Sequence, residues 1–242
     1  MNIFNVRREE YKYYINNADI YTLKHLISRV MSIDAYADPI KNHYTVTSLY
    51  FDTCFDNDLD EKLDGLLERE KIRLRIYNSE HSTIKLEVKK RNGTVISKDS
   101  FSISKNTAIN LINNNFDLID EDGGINSILV KLKLKGYQPR VVVEYDREAY
   151  FLPYGNIRVT FDKNPRTYNT NCDLFDLKNT ASTPIFLDNS QILEVKFSMP
   201  LPENIKNILS LVPLIRCSIS KYVLSQRYSD HSQWRDHLIS PF

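Results

Sequence analysis

Arg69-Glu70-Lys71-Ile72-Arg73-Leu74-Arg75-Ile76 is the stretch whose reading decides the fold. Side chains of an extended strand alternate between faces, so Arg69, Lys71, Arg73 and Arg75 share one side, while Ile72, Leu74 and Ile76 take the other. Similar alternation recurs along the chain. Lys85, Glu87 and Lys89 interleave with Ile84, Leu86 and Val88, and Arg158, Thr160 and Asp162 with Ile157, Val159 and Phe161. Glu194 and Lys196 interleave with Leu193, Val195 and Phe197, and Arg8, Glu10 and Lys12 share a face near the start. A solvated sheet face could carry such charge, but it ordinarily mixes signs because like neighbours repel, and the run from Arg69 to Arg75 is uniformly basic.

Eight strands are expected, at 8–15, 44–51, 71–77, 82–90, 94–102, 141–150, 157–163 and 191–198, from β-branched and aromatic residues in near period-two order. Asp64-Gly65 and Asn92-Gly93 lie between such runs and read as hairpin turns, which makes neighbouring strands antiparallel. Helical periodicity places Leu23, Leu26, Ile27 and Val30 on one apolar face after an Asp19 cap, and Ile125, Ile128, Leu129 and Leu132 on another before Gly136. Two more helices are expected, at 203–211 after Pro202 and at about 218–234, while 53–60, 117–122 and 164–189 read as loops. The fold class is α+β, with helices packed on the apolar side of an antiparallel sheet. If those strands close into a barrel with the helices outside, the charged faces line its interior. The natural occupant of a narrow basic lining is a linear triphosphate or polyphosphate, rather than a duplex nucleic acid.

Composition agrees with this picture and narrows the chemistry. The 242 residues carry 32 Lys+Arg against 31 Asp+Glu, which excludes a generic polyanion-coating protein. Only six glycines are present, and the one adjacent pair, Gly123-Gly124, follows an acidic run, so phosphates must be held by side chains rather than by a glycine-rich loop. Cys54, Cys172 and Cys217 are odd in number and scattered, which speaks against a disulfide framework or a thiolate zinc site and for a cytoplasmic setting. The five histidines show no paired metal-binding spacing, leaving a hard ion on carboxylates, Mg²⁺ or Mn²⁺. No signal profile or membrane-spanning segment is visible, and the absence of linkers and repeats gives a single domain over 1–242.

Several motifs in order complete the reading. YTVTSLYFDT at 44–53, Lys71-x-Arg73-x-Arg75, Leu86-Glu87-Val88-Lys89, Tyr145-x-Arg147, Ile192-Leu193-Glu194-Val195-Lys196 and Ser220-Lys221-Tyr222 together resemble the catalytic domain of the vacuolar transporter chaperone family. That family is the polyphosphate polymerase branch of the triphosphate tunnel metalloenzymes, also called the CYTH superfamily. The resemblance runs from about Phe4 to Arg227. It implies an antiparallel eight-stranded β-barrel forming a tunnel with helices around it. It also implies transfer of the ATP γ-phosphoryl to inorganic polyphosphate with Mn²⁺ or Mg²⁺.

On the matching positions the resemblance makes Lys12, Arg73, Arg75, Lys89, Arg147 and Lys221 the catalytic basic groups. Lys98, Arg158 and Lys196 become substrate contacts, Tyr145 and Ser220 neutral donors, and Glu194 the metal ligand. Glu10 and Glu87 stay open between holding metal and pairing with a lysine. Hydrolytic superfamily members typically open on E-x-E-x-K, and here Arg8 stands at the first acidic position, which fits the polymerase branch. A metal-dependent triphosphatase and a non-catalytic polyphosphate-binding module are the alternatives. The regulatory domain and membrane helices of fungal relatives have no counterpart, so the product is either soluble or passed to an unlinked membrane partner.

Overall fold

The computed structural model describes residues 9–78, 80–93, 95–117, 123–169 and 173–226. In chain order the elements are β1 (Glu9–Ile15), α1 (Asn17–Ile27), β2 (Ser32–Ile33), β3 (Tyr44–Thr53), α2 (Asn57–Leu63), β4 (Glu68–Tyr77), β5 (Glu80–Asn92) and β6 (Val95–Ile103). They continue with α3 (Lys105–Ile112), α4 (Gly123–Lys135), β7 (Tyr137–Leu152), β8 (Ile157–Tyr168), β9 (Thr183–Pro184), β10 (Gln191–Phe197), α5 (Glu203–Leu209) and α6 (Lys221–Gln226). Hydrogen bonding orders the eight long strands β1-β10-β8-β7-β3-β4-β5-β6, and the α+β class read from the sequence is what the chain adopts.

Two compact units divide the chain. The first takes the described parts of 1–45, 145–166 and 184–220, and the second those of 46–144, 167–183 and 221–242. In the first unit β10 pairs antiparallel with β1 and β8, setting Lys12 opposite Glu194, Glu10 opposite Lys196 and Thr160 opposite Glu194. The other faces of these strands supply Leu193, Val195, Phe197, Val159 and Phe161 to a core closed by Ile20, Leu23 and Ile27 of α1 and Ile205 of α5.

In the second unit β4 pairs antiparallel with β3 and β5, and β5 with β6. Ile72, Leu74, Ile76, Leu86 and Val88 face a core completed by Ala108 and Leu111 of α3 and by Ile125, Ile128, Leu129 and Leu132 of α4. Ion pairs from Lys131 and Lys135 to Glu70 fix α4 on that side of the sheet. The apolar half of the opening octapeptide is thus covered by helices as expected.

Several local features differ from the sequence expectations. Asp64-Gly65 does not make a hairpin: Asp64 caps the C-terminus of α2, and Gly65, at φ 72°, lets the Leu66 amide donate back to the Glu61 carbonyl at 3.0 Å. An Asp-Gly pair serves a helix end as well as a hairpin, because both need a residue at positive φ. Helix α1 is capped by Asn16, whose side chain accepts from the Asp19 amide, so Asp19 lies in the first turn rather than at the cap. Helix α2 begins inside the loop expected at 53–60, α3 forms where the sequence suggests no element, and the end of β8 and all of β9 lie in the loop expected at 164–189. By contrast, Asn92-Gly93 does join two antiparallel strands, with Gly93 at φ 58°. Arg8, Cys172, Trp234 and most of the acidic run at 117–122 lie outside the described residues.

Candidate functional site

Charge is sorted very differently in the two units. In the second, the register sets Arg75 opposite Lys85, Arg73 opposite Glu87, Lys71 opposite Lys89, and Arg69 opposite Arg91. Lys98 of β6 then stands opposite Lys89. All these residues share one sheet face, and over 69–75 of β4, 85–91 of β5 and 96–102 of β6 Glu87 is its single carboxylate. Such a face repels itself unless anions join it.

Glu87 is the hub of that face. It is 1% exposed, Arg73 donates to its Oε2 through Nε and Nη2 at 2.8 Å each, Arg75 Nη1 stands 3.7 Å away, and Lys98 pairs with its Oε1. Burial alone would raise this carboxyl, but Arg73 and Arg75, with Lys98, outweigh it and bring it down to about 2. In this structure Glu87 is partnered by Arg73, Arg75 and Lys98. Arg73 Nη1 also donates to the Tyr50 hydroxyl at 3.1 Å, and Arg75 Nε to Ser48 Oγ at 3.1 Å. Burial would raise the Tyr50 phenol too, yet Arg73, Arg75 and Lys221 lower it, which puts Lys221 within electrostatic reach of this cluster.

In the first unit the charges balance. Lys12 donates to the Ile219 carbonyl at 3.2 Å and lies 3.4 Å from Glu194 and 3.7 Å from Glu10. Lys196 contacts Glu194 at 2.9 Å and Glu10 at 3.4 Å. Arg147 is clamped in a two-bond fork on Asp162, at 2.6 and 2.7 Å, reaches Glu194 at 3.7 Å and lies over the Tyr145 ring. Burial opposes charge on this guanidinium, but Asp162 prevails and holds it well above the ordinary arginine range. Arg158 donates to Asp34 at 2.7 Å and to the Tyr44 hydroxyl at 2.8 Å.

Each predicted residue therefore has a place. Arg73, Arg75, Lys89, Lys98 and Lys221 belong to the second unit, and Lys12, Tyr145, Arg147, Arg158, Glu194, Lys196 and Ser220 to the first. Ser48, Tyr50, Asp34, Tyr44 and Asp162 also belong to these clusters, with no individual role expected of them from the sequence. Tyr50 could have been found, since Ser48 and Tyr50 alternate with Leu49 and Phe51 inside the quoted 44–53 motif.

A divalent ion has a limited but workable donor set. Among the described residues no three His, Cys, Asp or Glu side chains gather into a metal-holding group. Glu10 and Glu194 do share Lys12 and Lys196 as partners, and the fully buried Thr160 Oγ1, on the strand position facing Glu194, has no hydrogen-bond partner. Mg²⁺-type ions are commonly held by one or two carboxylates with substrate phosphates completing the shell, and these residues fit that mode.

The family model described as the VTC domain matches residues 7–228. The chain belongs to the VTC domain family. No curated protein matches this VTC domain in sequence. Among solved structures, it resembles a Bacillus halodurans protein named as a candidate adenylate cyclase, at 13% identity and TM-score 0.53, over 92% of this chain and 98% of that one. A like-named protein from Vibrio parahaemolyticus matches at 12% identity and TM-score 0.44, covering 96% and 98%. The Mimivirus capping enzyme triphosphatase matches at 12% identity and TM-score 0.35, covering 85% and 87%. At these identities the first likeness speaks for the fold alone. No helix among the described residues is long and apolar enough to cross a membrane, and Cys54 and Cys217 are free thiols.

Proposed function

We propose that this VTC domain is a polyphosphate polymerase that transfers the γ-phosphoryl of ATP to the end of an inorganic polyphosphate chain, with 1–242 acting as one functional domain in the cytoplasm. The observation that carries the reading is the β4–β6 face, where the cations over 69–75, 85–91 and 96–102 have Glu87 as the one carboxylate among them. A linear polyanion supplies what that face lacks, and the family membership supports it.

In this reading Arg73, Arg75, Lys89 and Lys98 bind phosphate oxygens, Arg73 and Arg75 by the planar fork that suits phosphate. Lys12, Lys196 and Lys221 add point charges, Tyr145 and Ser220 donate neutral hydrogen bonds, and Arg147 and Arg158 contribute a basic path for the chain. Glu194, with Glu10, would hold Mn²⁺ or Mg²⁺, which supplies charge neutralisation on the phosphates when bound.

Transfer forms a bond from a terminal polyphosphate oxygen to the γ-phosphorus and breaks the bond to the β,γ-bridging oxygen, releasing ADP. The acceptor oxygen is already anionic near neutral pH, so no general base is required, whereas attack by water would benefit from one. The protein's contribution is alignment and stabilisation of negative charge spreading over the equatorial oxygens.

Incubation with ATP and Mn²⁺, followed by gel separation of the phosphate products, tests the proposal. A ladder of long chains is expected. Free phosphate alone would replace polymerase by triphosphatase, and binding without turnover would make the chain a polyphosphate-binding module. Arg73→Ala combined with Arg75→Ala should lower activity by about 100-fold or more, on the scale of removing charge-stabilising donors.

A further inference from the structure

On the β3 side of the cationic face of the second unit, a chain of buried contacts reaches Arg73 from the far end of the sequence. Asp52 is fully buried in β3, and its carboxylate accepts from the amides of Thr53, Asp58 and Leu59 at 2.7, 2.9 and 3.1 Å. Three backbone donors fix its orientation, and two of them belong to the first turn of α2. The Tyr222 hydroxyl of α6 donates to the same carboxylate at 2.5 Å, across 170 positions of sequence. With its hydroxyl held there, the Tyr222 ring is 1% exposed and stacks on Tyr50, with centroids 5.2 Å apart and planes at 28°. The Tyr50 hydroxyl in turn accepts from Arg73 Nη1, and the Arg73 guanidinium lies 5.8 Å from the Tyr50 ring centre.

Glu87 grips the Nε and Nη2 edge of Arg73, while Tyr50 meets Nη1, so the plane of the fork is defined from two sides. Tyr50 can serve as a stop only while its own ring is held, and the stacked Tyr222 ring holds it.

We infer that Tyr222, keyed by Asp52 and stacked on Tyr50, is a positioning residue that sets the Arg73 guanidinium for phosphate. The inference rests on the phosphate-binding reading of this face. Tyr222 itself need not touch the ligand. Its ring also lies 5.2 Å from Lys71 Nζ, but the part of its effect that passes through Arg73 depends on Arg73 being present, whereas a purely structural core tyrosine would weaken binding whether or not Arg73 were there.

Calorimetric titration of the full chain with inorganic tripolyphosphate, at fixed ionic strength and without turnover, separates these cases. Tyr222→Leu should weaken binding about tenfold, and Tyr222→Phe, which keeps the stack, by about threefold or less, whereas in an Arg73→Ala background Tyr222→Leu should cost less than about twofold. Equal losses in both backgrounds, or no loss in either, would overturn the positioning role while leaving the substrate reading intact. Failure of the unaltered chain to bind tripolyphosphate would remove the substrate reading and the inference with it. If Tyr222→Leu does not fold, Tyr50→Phe deletes only the hydroxyl that Arg73 meets. It should weaken binding about threefold, and not at all in the Arg73→Ala background; equal weakening in both would again refute the inference.

Discussion

Replacing Glu87 by glutamine should make the protein less stable and its ligand bind more tightly, two effects of opposite sign from one carboxylate. Glu87 is 1% exposed, and Arg73, Arg75 and Lys98 hold its acidity near 2 against an ordinary 4.5. At about 1.4 kcal/mol per pH unit, that depression corresponds to about 3 kcal/mol of stability at neutral pH, an upper bound because glutamine still offers Arg73 an acceptor. A depressed carboxyl stabilises the folded state above its unfolded pKa and ceases to do so as pH falls through the folded one. The difference between the two proteins should therefore be full at pH 7 and vanish towards pH 2. Urea unfolding at pH 7, 5, 4 and 3 reads this directly. Tripolyphosphate should at the same time bind more tightly to Glu87→Gln, with a steeper salt dependence, because the face loses its internal counter-charge. Equal stabilities at pH 7 would refute the reasoning, as would a deficit unchanged between pH 7 and pH 3, which would mark a packing defect. Weaker binding would mean that orienting Arg73 matters more than the charge on Glu87.

Asp58 offers the converse test. Burial, with Asp52 adding to it and the Tyr137 hydrogen bond opposing, pushes its carboxyl up to about 8, and its Oδ2 is buried without a partner. The protonated form favours folding, so stability should fall as pH rises from about 4 to 8, and Asp58→Asn should flatten that slope and exceed the parent protein at pH 8 by up to about 5 kcal/mol in urea titration. Parallel pH profiles would show that Asp58 does not titrate there. In the core, Leu86→Ala should cost about 2–5 kcal/mol, while Leu67→Ala, at a residue 70% exposed, should stay within about 0.5 kcal/mol, both by chemical unfolding. At the carboxylate proposed for metal, Glu194→Gln should raise the Mn²⁺ needed for half-maximal product formation by about tenfold or more. An unchanged titration would leave Glu194 as the partner of Lys12 and Lys196.

What could be read from the chain and what could not divides along a physical line. Alternation reports which face a side chain takes, because it depends only on position within one strand, and Ile72, Leu74 and Ile76 are indeed fully buried opposite their basic neighbours. It does not report who stands across the sheet. The pairing of Glu87 with arginine follows from the β4–β5 register, which places Arg73 directly opposite it. The partners of Arg147 and Arg158 were hidden for the same reason. Asp162 is 15 residues from Arg147, and Asp34 is 124 from Arg158, distances at which no local pattern survives. Short helices were lost differently. The first turn of α2 is satisfied by Asp52 in the preceding strand rather than by a cap side chain of its own, so its start carries no local signal. In α3 the Ser104 side chain does accept from the Thr107 amide, a cap signal that the sequence does carry. The residues hardest to read are thus those whose partners come from another element. Asp52 is the clearest of them: its carboxylate joins β3, α2 and α6, and only the folded chain brings those three together.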